Sequence, residues 1–294
     1  MPDAVNAFHP RWIPNIQLDL FPYCNAKCKF CSYHDSKRKR GVMSEEVLKK
    51  TIESVRDWLA NPRGDIMRRI EVMPFYYGEP FLNKQWFERF TYIDENLPMC
   101  SMSVSTNGSL IDQEKVENLA SIKTLGFVNF SVYSGVKEEY EDLMGLPFEK
   151  TMENIHGAID YLRKTRPEVR LCVGGTADPR YVSSESINNM CKTFGTLYSP
   201  HRISFNRQHV GGKNVRTVPD SEPCYTPFAT MVIMSNGDVG ICCFDVDCEL
   251  KVGNVMENSL RDINNGHMMR CYKNAHLLGF KDAIGLCRGC THPR

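Results

Sequence analysis

The stretch Pro-Tyr-Cys24-Asn-Ala-Lys-Cys28-Lys-Phe-Cys31-Ser-Tyr-His34 places three cysteines on one short loop with the spacing Cys-x3-Cys-x2-Cys. Three thiolates so close together fit an iron–sulfur cluster that needs four ligands and receives only three from the protein. The iron without a protein ligand can then bind a small molecule. Unrelated thiols or a zinc loop are the alternatives. His34 would be the fourth zinc ligand, although zinc knuckles usually carry Cys-x2-Cys pairs.

The composition of the chain is that of a soluble enzyme. Its 294 residues, 42% of them hydrophobic, allow one large domain and a small one. No apolar run approaches the ~18 residues of a membrane span, and the first residues lack the pattern of a signal peptide. Thirteen cysteines without an export signal favour a cytoplasmic location, with metal or redox chemistry ahead of disulfides. The net charge of +1 gives no reason to expect nucleic acid as a partner.

A basic run, Lys37-Arg38-Lys39-Arg40, follows the cysteine loop. Such a run usually forms a solvated loop, which is the interpretation we prefer. The alternative is a clamp for a phosphate or carboxylate of the substrate.

Strand-like and helical segments alternate along most of the chain. The predicted strands are Ile16–Phe21, Arg69–Phe75, Ser101–Thr106, Phe127–Tyr133, Arg170–Thr176 and Arg202–Asn206. The predicted helices are one capped by Ser44, then Lys84–Leu97, Gln113–Lys123, Phe148–Lys164 and Ser184–Phe194. This alternation predicts an α/β fold with a parallel sheet and right-handed crossovers. Chemistry in such folds gathers at the C-terminal ends of the strands, and the cysteine loop directly follows the first strand.

Four loops in the same order resemble the motifs of the radical S-adenosylmethionine (SAM) family. They are the cysteine loop with its aromatic Phe30, then Gly78-Glu79-Pro80, Ser105-Thr106-Asn107 and Val173-Gly174-Gly175. The resemblance covers roughly residues 16–210 and implies a partial (βα)6 TIM-like barrel. It also implies that the open iron of a 4Fe–4S cluster held by Cys24, Cys28 and Cys31 binds the amino and carboxylate groups of SAM. One electron then cleaves SAM to a 5′-deoxyadenosyl radical.

The resemblance also implies roles for individual SAM contacts. Gly78, Glu79 and Pro80 would hold the amino group, because a carboxylate suits an ammonium. The ribose would meet Ser105 and Asn107, and the carboxylate of SAM would meet Ser131. The adenine would lie against Gly174 and near Phe30. The chain departs from the family at Ser134-Gly135, where Asp-Gly is common, and near residues 143–145, where an arginine is common.

A second cysteine group closes the chain. The runs Phe228–Met234 and Val239–Cys242 predict a β-hairpin around an Asn-Gly turn, and Asn258 or Ser259 can cap a following helix. The hairpin brings together two of four thiols that can ligate one auxiliary 4Fe–4S cluster. These four are Cys224, Cys242, Cys287 and Cys290. A zinc ribbon is the alternative.

The spacing Cys-x12-Gly-x4-Cys from Cys224 to Cys242 resembles the opening of SPASM domains, shortened here to the one-cluster form called a twitch domain. We therefore predict three parts of the chain. Residues 1–15 lead into a radical SAM core at 16–215, and a twitch/SPASM domain with a β-hairpin and a helix fills 216–294.

The remaining cysteines divide into two groups. Most of them fit inert packing positions. Cys243 and Cys248 differ, because they follow directly on a predicted cluster ligand. A thiol there could donate a hydrogen atom to a substrate radical. It could equally be a spare sulfur, or Cys243 could replace Cys242 as ligand.

The resemblance to one-cluster twitch enzymes leads to a functional hypothesis. We expect a radical SAM oxidoreductase or epimerase for a small polar substrate, such as a sugar, an aminocyclitol or a natural-product intermediate. Its partner would be a flavodoxin or ferredoxin-type reductant, and we expect no association with a membrane. Arg207 and His209 are candidate substrate contacts at the end of the sixth strand, and Tyr76 and Tyr77 are ambiguous. The alternatives are radical epimerisation or crosslinking of a ribosomally made peptide and, less favoured, an electron-transfer protein that cleaves no SAM.

Overall fold

The computed structural model describes residues 15–60, 70–176, 179–201, 224–288 and 290. They divide into two compact units. The first unit draws its described residues from Met1–Pro22, Asp35–Tyr76 and Asn206–Arg294, and the second from Tyr23–His34 and Tyr77–Phe205. Across the described ranges, no helix has both the length and the apolar character needed to cross a membrane.

The strands and helices alternate as far as residue 201. In chain order the strands are β1 (Asn15–Leu18), β2 (Glu71–Met73), β3 (Ser101–Thr106), β4 (Leu125–Ser131), β5 (Arg170–Thr176), β6 (Tyr198–His201), β7 (Thr230–Ile233), β8 (Asp238–Gly240) and β9 (Lys251–Asn254). The helices are α1 (Glu45–Ala60), α2 (Trp86–Asn96), α3 (Gln113–Ser121), α4 (Lys137–Met144), α5 (Phe148–Thr165), α6 (Ser184–Phe194), α7 (Thr226–Ala229), α8 (Leu260–Asn264) and α9 (His267–Leu277).

The first unit contains strands in the order β2-β1-β7-β8-β9. β1 pairs in parallel with β2 and β7, whereas β8 pairs antiparallel with β7 and β9. Ile16 aligns with Val72 on β2 and with Met231 on β7. It is fully buried, because a strand with parallel neighbours on both sides has little exposed surface. The hairpin β7–β8 confirms the predicted turn at Asn236-Gly237, where Gly237 has a φ of 88°.

In the same unit, α1 begins where predicted. Ser44 Oγ accepts a hydrogen bond from Val47 N at 3.2 Å, which satisfies one of the free N–H groups of the first turn. The apolar positions Leu48, Ile52 and Val55 are buried, as their spacing indicates. Ser259 caps α8 in the same way.

The second unit holds four parallel strands in the order β3-β4-β5-β6. Helices connect successive strands, as expected for parallel pairing. The predicted helix Phe148–Lys164 corresponds to α5, in which Ile155, Ile159 and Leu162 are buried and Phe148 and Met152 are half-buried. The predicted class is therefore confirmed as mixed α/β with parallel strands, and among the described residues no pairing closes a barrel.

The structure corrects several predicted elements. β4 covers Leu125–Ser131 and lies two residues earlier than predicted. Three helices, α4, α7 and α9, were not predicted at all. The sixth predicted strand, Arg202–Asn206, and the predicted boundary between 215 and 216 lie outside the described residues. The sixth strand of the structure, β6, covers Tyr198–His201 and pairs with β5 on the side away from β4.

Candidate metal centres

The three-cysteine loop belongs to the second unit and is held by the end of α4. Lys27 N and Lys29 N donate hydrogen bonds to the carbonyl oxygens of Met144 and Leu143, at 2.8 and 3.0 Å. These are two of the carbonyls that a helix leaves without partners at its C-terminal end. The helix ends at Gly145, whose φ of 66° suits glycine. A helix that the sequence analysis missed thus positions the cysteines.

The three thiols lie close enough to affect one another. Cys31 N donates to the carbonyl of Cys28 at 3.1 Å, which turns the loop back on itself. Burial raises the pKa of Cys24 to about 11, and it also raises the pKa of Cys28, with the negative charges of Cys31 and Cys24 acting in the same direction. Such thiols become thiolates when a metal supplies the compensating charge. The donor set therefore fits an iron–sulfur cluster with three protein ligands.

Glu79 ties the neighbouring loops together. Its carboxylate is 1% exposed and accepts hydrogen bonds from Thr106 Oγ1 (2.7 Å), Asn107 N (2.8 Å) and Phe81 N (3.2 Å). Its own N–H donates to the carbonyl of Tyr23, next to the first cysteine, at 2.8 Å. Burial raises the pKa of Glu79 to about 7. A buried carboxylate of this kind favours a cation in its vicinity.

A row of polar side chains lies at the C-terminal ends of β3 and β4. Asn129 Nδ2 donates to Ser105 Oγ at 2.9 Å and to Ser131 Oγ at 3.4 Å. Position 174 on β5 must be small, because a Cβ on Gly174 would lie 2.7 Å from Asn129 Oδ1. Two predicted SAM contacts, Ser105 and Ser131, are therefore joined by a residue that was not predicted.

The other predicted SAM contacts have these neighbours. Asn107 Nδ2 donates to Asn25 Oδ1 at 3.0 Å and lies 4.0 Å from Cys24 Sγ. Phe30 is buried, with its ring centroid 4.5 Å from that of Tyr133. Gly78 is half-buried, and Pro80, which is buried, opens the 3-10 turn Pro80–Leu82.

The second cysteine group lies in the first unit and lines one pocket. Cys224 and Cys242 flank α7 and the β7–β8 hairpin, so the hairpin brings the two thiols together as predicted. Cys290 N donates to the carbonyl of Cys287 at 3.1 Å, a turn that places both thiols on the same pocket. The complete set of four thiols fits the ligands of one auxiliary cluster.

Nitrogen atoms lie within hydrogen-bond distance of two of these sulfurs. Phe244 N donates to Cys242 Sγ at 3.4 Å, and His276 Nε2 lies 3.6 Å from Cys287 Sγ. Burial raises the pKa of Cys287, and the other three thiols of the set act in the same direction. Within the described ranges, no group of three or more His, Cys, Asp or Glu side chains is placed to hold a single metal ion.

The structure separates Cys243 from Cys248. Cys243 is hydrogen-bonded to Cys242, which lowers the pKa of its thiol, and Cys224 and Cys290 act on it electrostatically. It therefore lies with the auxiliary set. Cys248 has a φ of 57°, unusual for a residue other than glycine, and burial raises the pKa of its thiol to about 12. Its sulfur would lie 3.3 Å from a Cβ on Gly240 of β8.

The basic run is partly buried, and for Arg38 the prediction of a solvated loop is wrong. The guanidinium of Arg38 forms an ion pair with the buried Asp19, and its Nε donates to the carbonyl of Val246 at 3.1 Å. Asp247 Oδ1 accepts hydrogen bonds from Ser36 Oγ (2.7 Å) and Arg38 N (2.9 Å). The run therefore anchors the loop that carries Cys248.

Four residues that sequence reasoning missed contribute to these centres. They are Asn129, Tyr133, His276 and Lys281. Asn129 and Tyr133 could have been found from the sequence, since positions 129, 131 and 133 lie on the same side of an extended chain as the predicted contact Ser131. No sequence motif points to His276 or Lys281. Arg207 and His209, the predicted substrate contacts, lie outside the described residues.

Family comparisons define the class of the protein. The family model of the radical SAM superfamily matches residues 18–177, which is more than half of the chain, and that of SPASM, an iron-sulfur cluster-binding domain, matches residues 224–291. The chain belongs to the radical SAM superfamily and carries a C-terminal SPASM domain. Its cofactors are accordingly SAM with a 4Fe–4S cluster, and an auxiliary iron–sulfur cluster.

Individual proteins resemble the chain over most of its length. The S-adenosyl-L-methionine-dependent 2-deoxy-scyllo-inosamine dehydrogenase of Niallia circulans is 22% identical over 94% of this chain and 92% of its own. The crystal structure of BtrN in complex with AdoMet and 2-DOIA is 18% identical, with a TM-score of 0.67 over 96% of this chain and 94% of that one. Native anSMEcpe with bound AdoMet and Cp18Cys peptide is 19% identical, with a TM-score of 0.62 over 90% and 83% of the two chains.

Proposed function

We propose that this protein is a radical SAM oxidoreductase that oxidises an alcohol of a small polar substrate, such as a sugar, an aminocyclitol or a natural-product intermediate. The observation that carries the proposal is the pocket lined by four thiols, Cys224, Cys242, Cys287 and Cys290. Four protein ligands leave no iron of an auxiliary cluster open to a substrate, so such a cluster is suited to electron transfer. The full-length similarity to a dehydrogenase supports this interpretation.

The first cofactor site divides its tasks among residues of the second unit. Cys24, Cys28 and Cys31 would hold the cluster, which together with SAM supplies a radical able to abstract hydrogen. The buried carboxylate of Glu79 would attract the ammonium of SAM while its hydrogen bonds fix the surrounding loops. The hydroxyls of Ser105 and Ser131, oriented by Asn129, would bind the polar groups of SAM.

The proposal is tested by the mass of the product. Anaerobically reconstituted protein would be incubated with SAM, dithionite and 2-deoxy-scyllo-inosamine as the probe substrate, followed by a panel of other aminocyclitols and sugars. Oxidation gives a product lighter by two hydrogens, in an amount matching the 5′-deoxyadenosine formed. SAM cleavage that never yields a product of this mass would contradict the proposal.

Epimerisation is the second candidate, and Cys248 is the observation that favours it. Its thiol lies outside the cluster set and is kept protonated, because burial raises its pKa to about 12. A hydrogen-atom donor must hold a hydrogen on sulfur. In deuterated water an epimerase would place one deuterium at the inverted carbon, and Cys248→Ala would stop inversion while leaving SAM cleavage intact. Equal product from this variant would exclude the donor role.

Modification of a ribosomally made peptide is the remaining alternative. It draws support from the fold shared with anSMEcpe, which was solved with a bound peptide. A precursor peptide encoded beside the gene of this protein, changed in mass only when SAM is present, would favour it over the oxidation of a small molecule.

A further inference from the structure

His276 lies between two of the four thiol-bearing segments of the auxiliary pocket. It belongs to α9 and is 1% exposed. Its Nδ1 accepts a hydrogen bond from the backbone N–H of Cys224 at 3.3 Å, and its Nε2 lies 3.6 Å from Cys287 Sγ. One imidazole ring therefore contacts the first and third thiol residues of the set at once.

The hydrogen bond from Cys224 fixes which ring nitrogen carries the proton. A backbone N–H can only donate, so Nδ1 must offer a lone pair, and in the neutral ring the hydrogen then lies on Nε2. A nitrogen that carries a hydrogen has no lone pair for a metal. His276 is thus excluded as a cluster ligand in this arrangement, and its N–H is directed at the sulfur of one.

We propose that His276 raises the reduction potential of the auxiliary cluster by donating its Nε2–H to the thiolate of Cys287. Reduction adds one electron to the cluster, with no bond broken and no proton moved. The added charge spreads onto the sulfurs, so a donor to sulfur stabilises the reduced state more than the oxidised one. The inference rests on the four-thiol ligand set and the oxidation proposed above.

Other groups in the pocket act in the same direction. Lys281 is buried and lines the pocket, and its positive charge opposes the effect of burial, which raises the pKa of Cys287. The backbone N–H of Phe244 donates to Cys242 Sγ at 3.4 Å. A cluster in this environment accepts an electron more readily than one surrounded only by apolar groups. That property is what the oxidation of an alcohol radical requires of its electron acceptor.

Two substitutions separate the donor from the rest of the ring. His276→Asn places an amide oxygen near the position of Nδ1, so the acceptor for the N–H of Cys224 is kept and the donor to Cys287 is removed. His276→Gln places an amide N–H near the position of Nε2 and keeps the donor to Cys287. Both variants would be made in full-length protein carrying Cys24→Ala, Cys28→Ala and Cys31→Ala, so that only the auxiliary cluster is present. The midpoint potential would be measured by spectroelectrochemical titration.

We expect His276→Asn to shift the reduction equilibrium about tenfold toward the oxidised cluster, which is about 59 mV for a one-electron couple. His276→Gln should stay near the parent. An unchanged potential in His276→Asn, with the iron retained, overturns the proposal. A potential in His276→Gln that differs from that of the parent also overturns the proposal. If His276→Asn holds no cluster, the potential of His276→Gln is the measurement that tests the proposal. Absence of cluster iron from the parent itself would instead overturn the ligand set and the proposed electron acceptor.

Discussion

The two thiol groups of this protein differ in number of ligands and in the kind of surroundings. Cys24, Cys28 and Cys31 form an incomplete set beside hydroxyls, amides and a buried carboxylate. The auxiliary set of four thiols shares its pocket with His276 and Lys281 instead. The first environment offers polar groups for binding a cofactor, and the second offers hydrogens and positive charge for stabilising an electron. The residues around each set of thiols therefore determine whether its cluster would bind a cofactor or accept an electron.

The largest effect is expected from removing the incomplete set. Replacing Cys24, Cys28 and Cys31 together by alanine should abolish SAM cleavage and reduce iron from about eight to about four per chain, following the stoichiometry of 4Fe–4S clusters. Iron and sulfide assays, with chromatography of 5′-deoxyadenosine, would check this. Cys191→Ala, an exposed thiol, is the matched control. Full iron content in the triple variant would show that these thiols bind no cluster.

Removing the complete set of four thiols should stop substrate oxidation and leave SAM cleavage intact. With Cys224, Cys242, Cys287 and Cys290 replaced by alanine, about four irons and SAM cleavage should remain, because the first cluster keeps its ligands. Formation of oxidised product should stop, since the electron has no acceptor. Cys271→Ala serves as control, because this cysteine is exposed on α9. Undiminished oxidation by the four-site variant would contradict the contrast between the two sets.

The buried carboxylate predicts a pH dependence of stability. The pKa of Glu79 rises from an ordinary value of 4.5 to about 7 on folding, so the folded state disfavours the ionised form. This contribution to stability is complete below pH 4.5 and is lost as the pH rises toward 7, by about 3 kcal/mol. Glu79→Gln has no charge to bury. The difference in unfolding free energy between variant and wild type, measured without SAM, should therefore move in the variant's favour over this range. A difference independent of pH would show that Glu79 does not titrate as described.

Glu79 should also affect SAM affinity. Loss of a charge-assisted contact in Glu79→Ala should weaken SAM binding by about 1.5–3 kcal/mol. Equilibrium dialysis of the reconstituted protein would measure it. Glu114→Ala, exposed on α3, should leave the affinity unchanged. An equal affinity for wild type and Glu79→Ala would refute the role assigned to this carboxylate.

The smallest effect concerns the polar row. Ser131→Ala removes one neutral hydroxyl, worth about 1 kcal/mol, so SAM affinity should fall by about fivefold. Ser121→Ala, on the exposed side of α3, is the control. Wild-type affinity in Ser131→Ala would separate Ser131 from SAM binding.

Much of the fold could be predicted from the sequence because its signals are local. β3 and β5 were predicted with the observed bounds, since β-branched and small residues sit between clear helical patterns. α4 was missed because its buried face has only Tyr140, Leu143 and Met144, too few positions to establish a helical period. Strand boundaries were less accurate where residues of similar propensity continue past the strand, as at the predicted strand Ile16–Phe21, which ends at Leu18.

The candidate site was predictable only where ligands cluster in sequence. The spacing of Cys24, Cys28 and Cys31 predicts a metal site, and the predicted hairpin brings Cys224 close to Cys242. His276 carries no such signal, because its partners lie 52 and 11 residues away and are brought near by α9. Arg38 was misjudged since a charged run gives no indication of a buried counter-ion such as Asp19. Contacts that depend on tertiary packing are outside what spacing can show.

The loops anchored by Asp245 and Asp247 have a consequence for hydrogen exchange. Asp247 accepts from the amides of Lys37 and Arg38, each at 2.9 Å, and Asp245 accepts from those of Glu249 and Leu250, at 2.8 and 2.7 Å. Amides in loops usually exchange fast because water reaches them when the chain fluctuates locally. The amides of Glu249 and Leu250 are held within their own loop and should exchange only when that loop opens, whereas those of Lys37 and Arg38 should exchange only when the contact between the two loops breaks. Their protection should resemble that of sheet amides, which makes the two loops part of the slowly opening core.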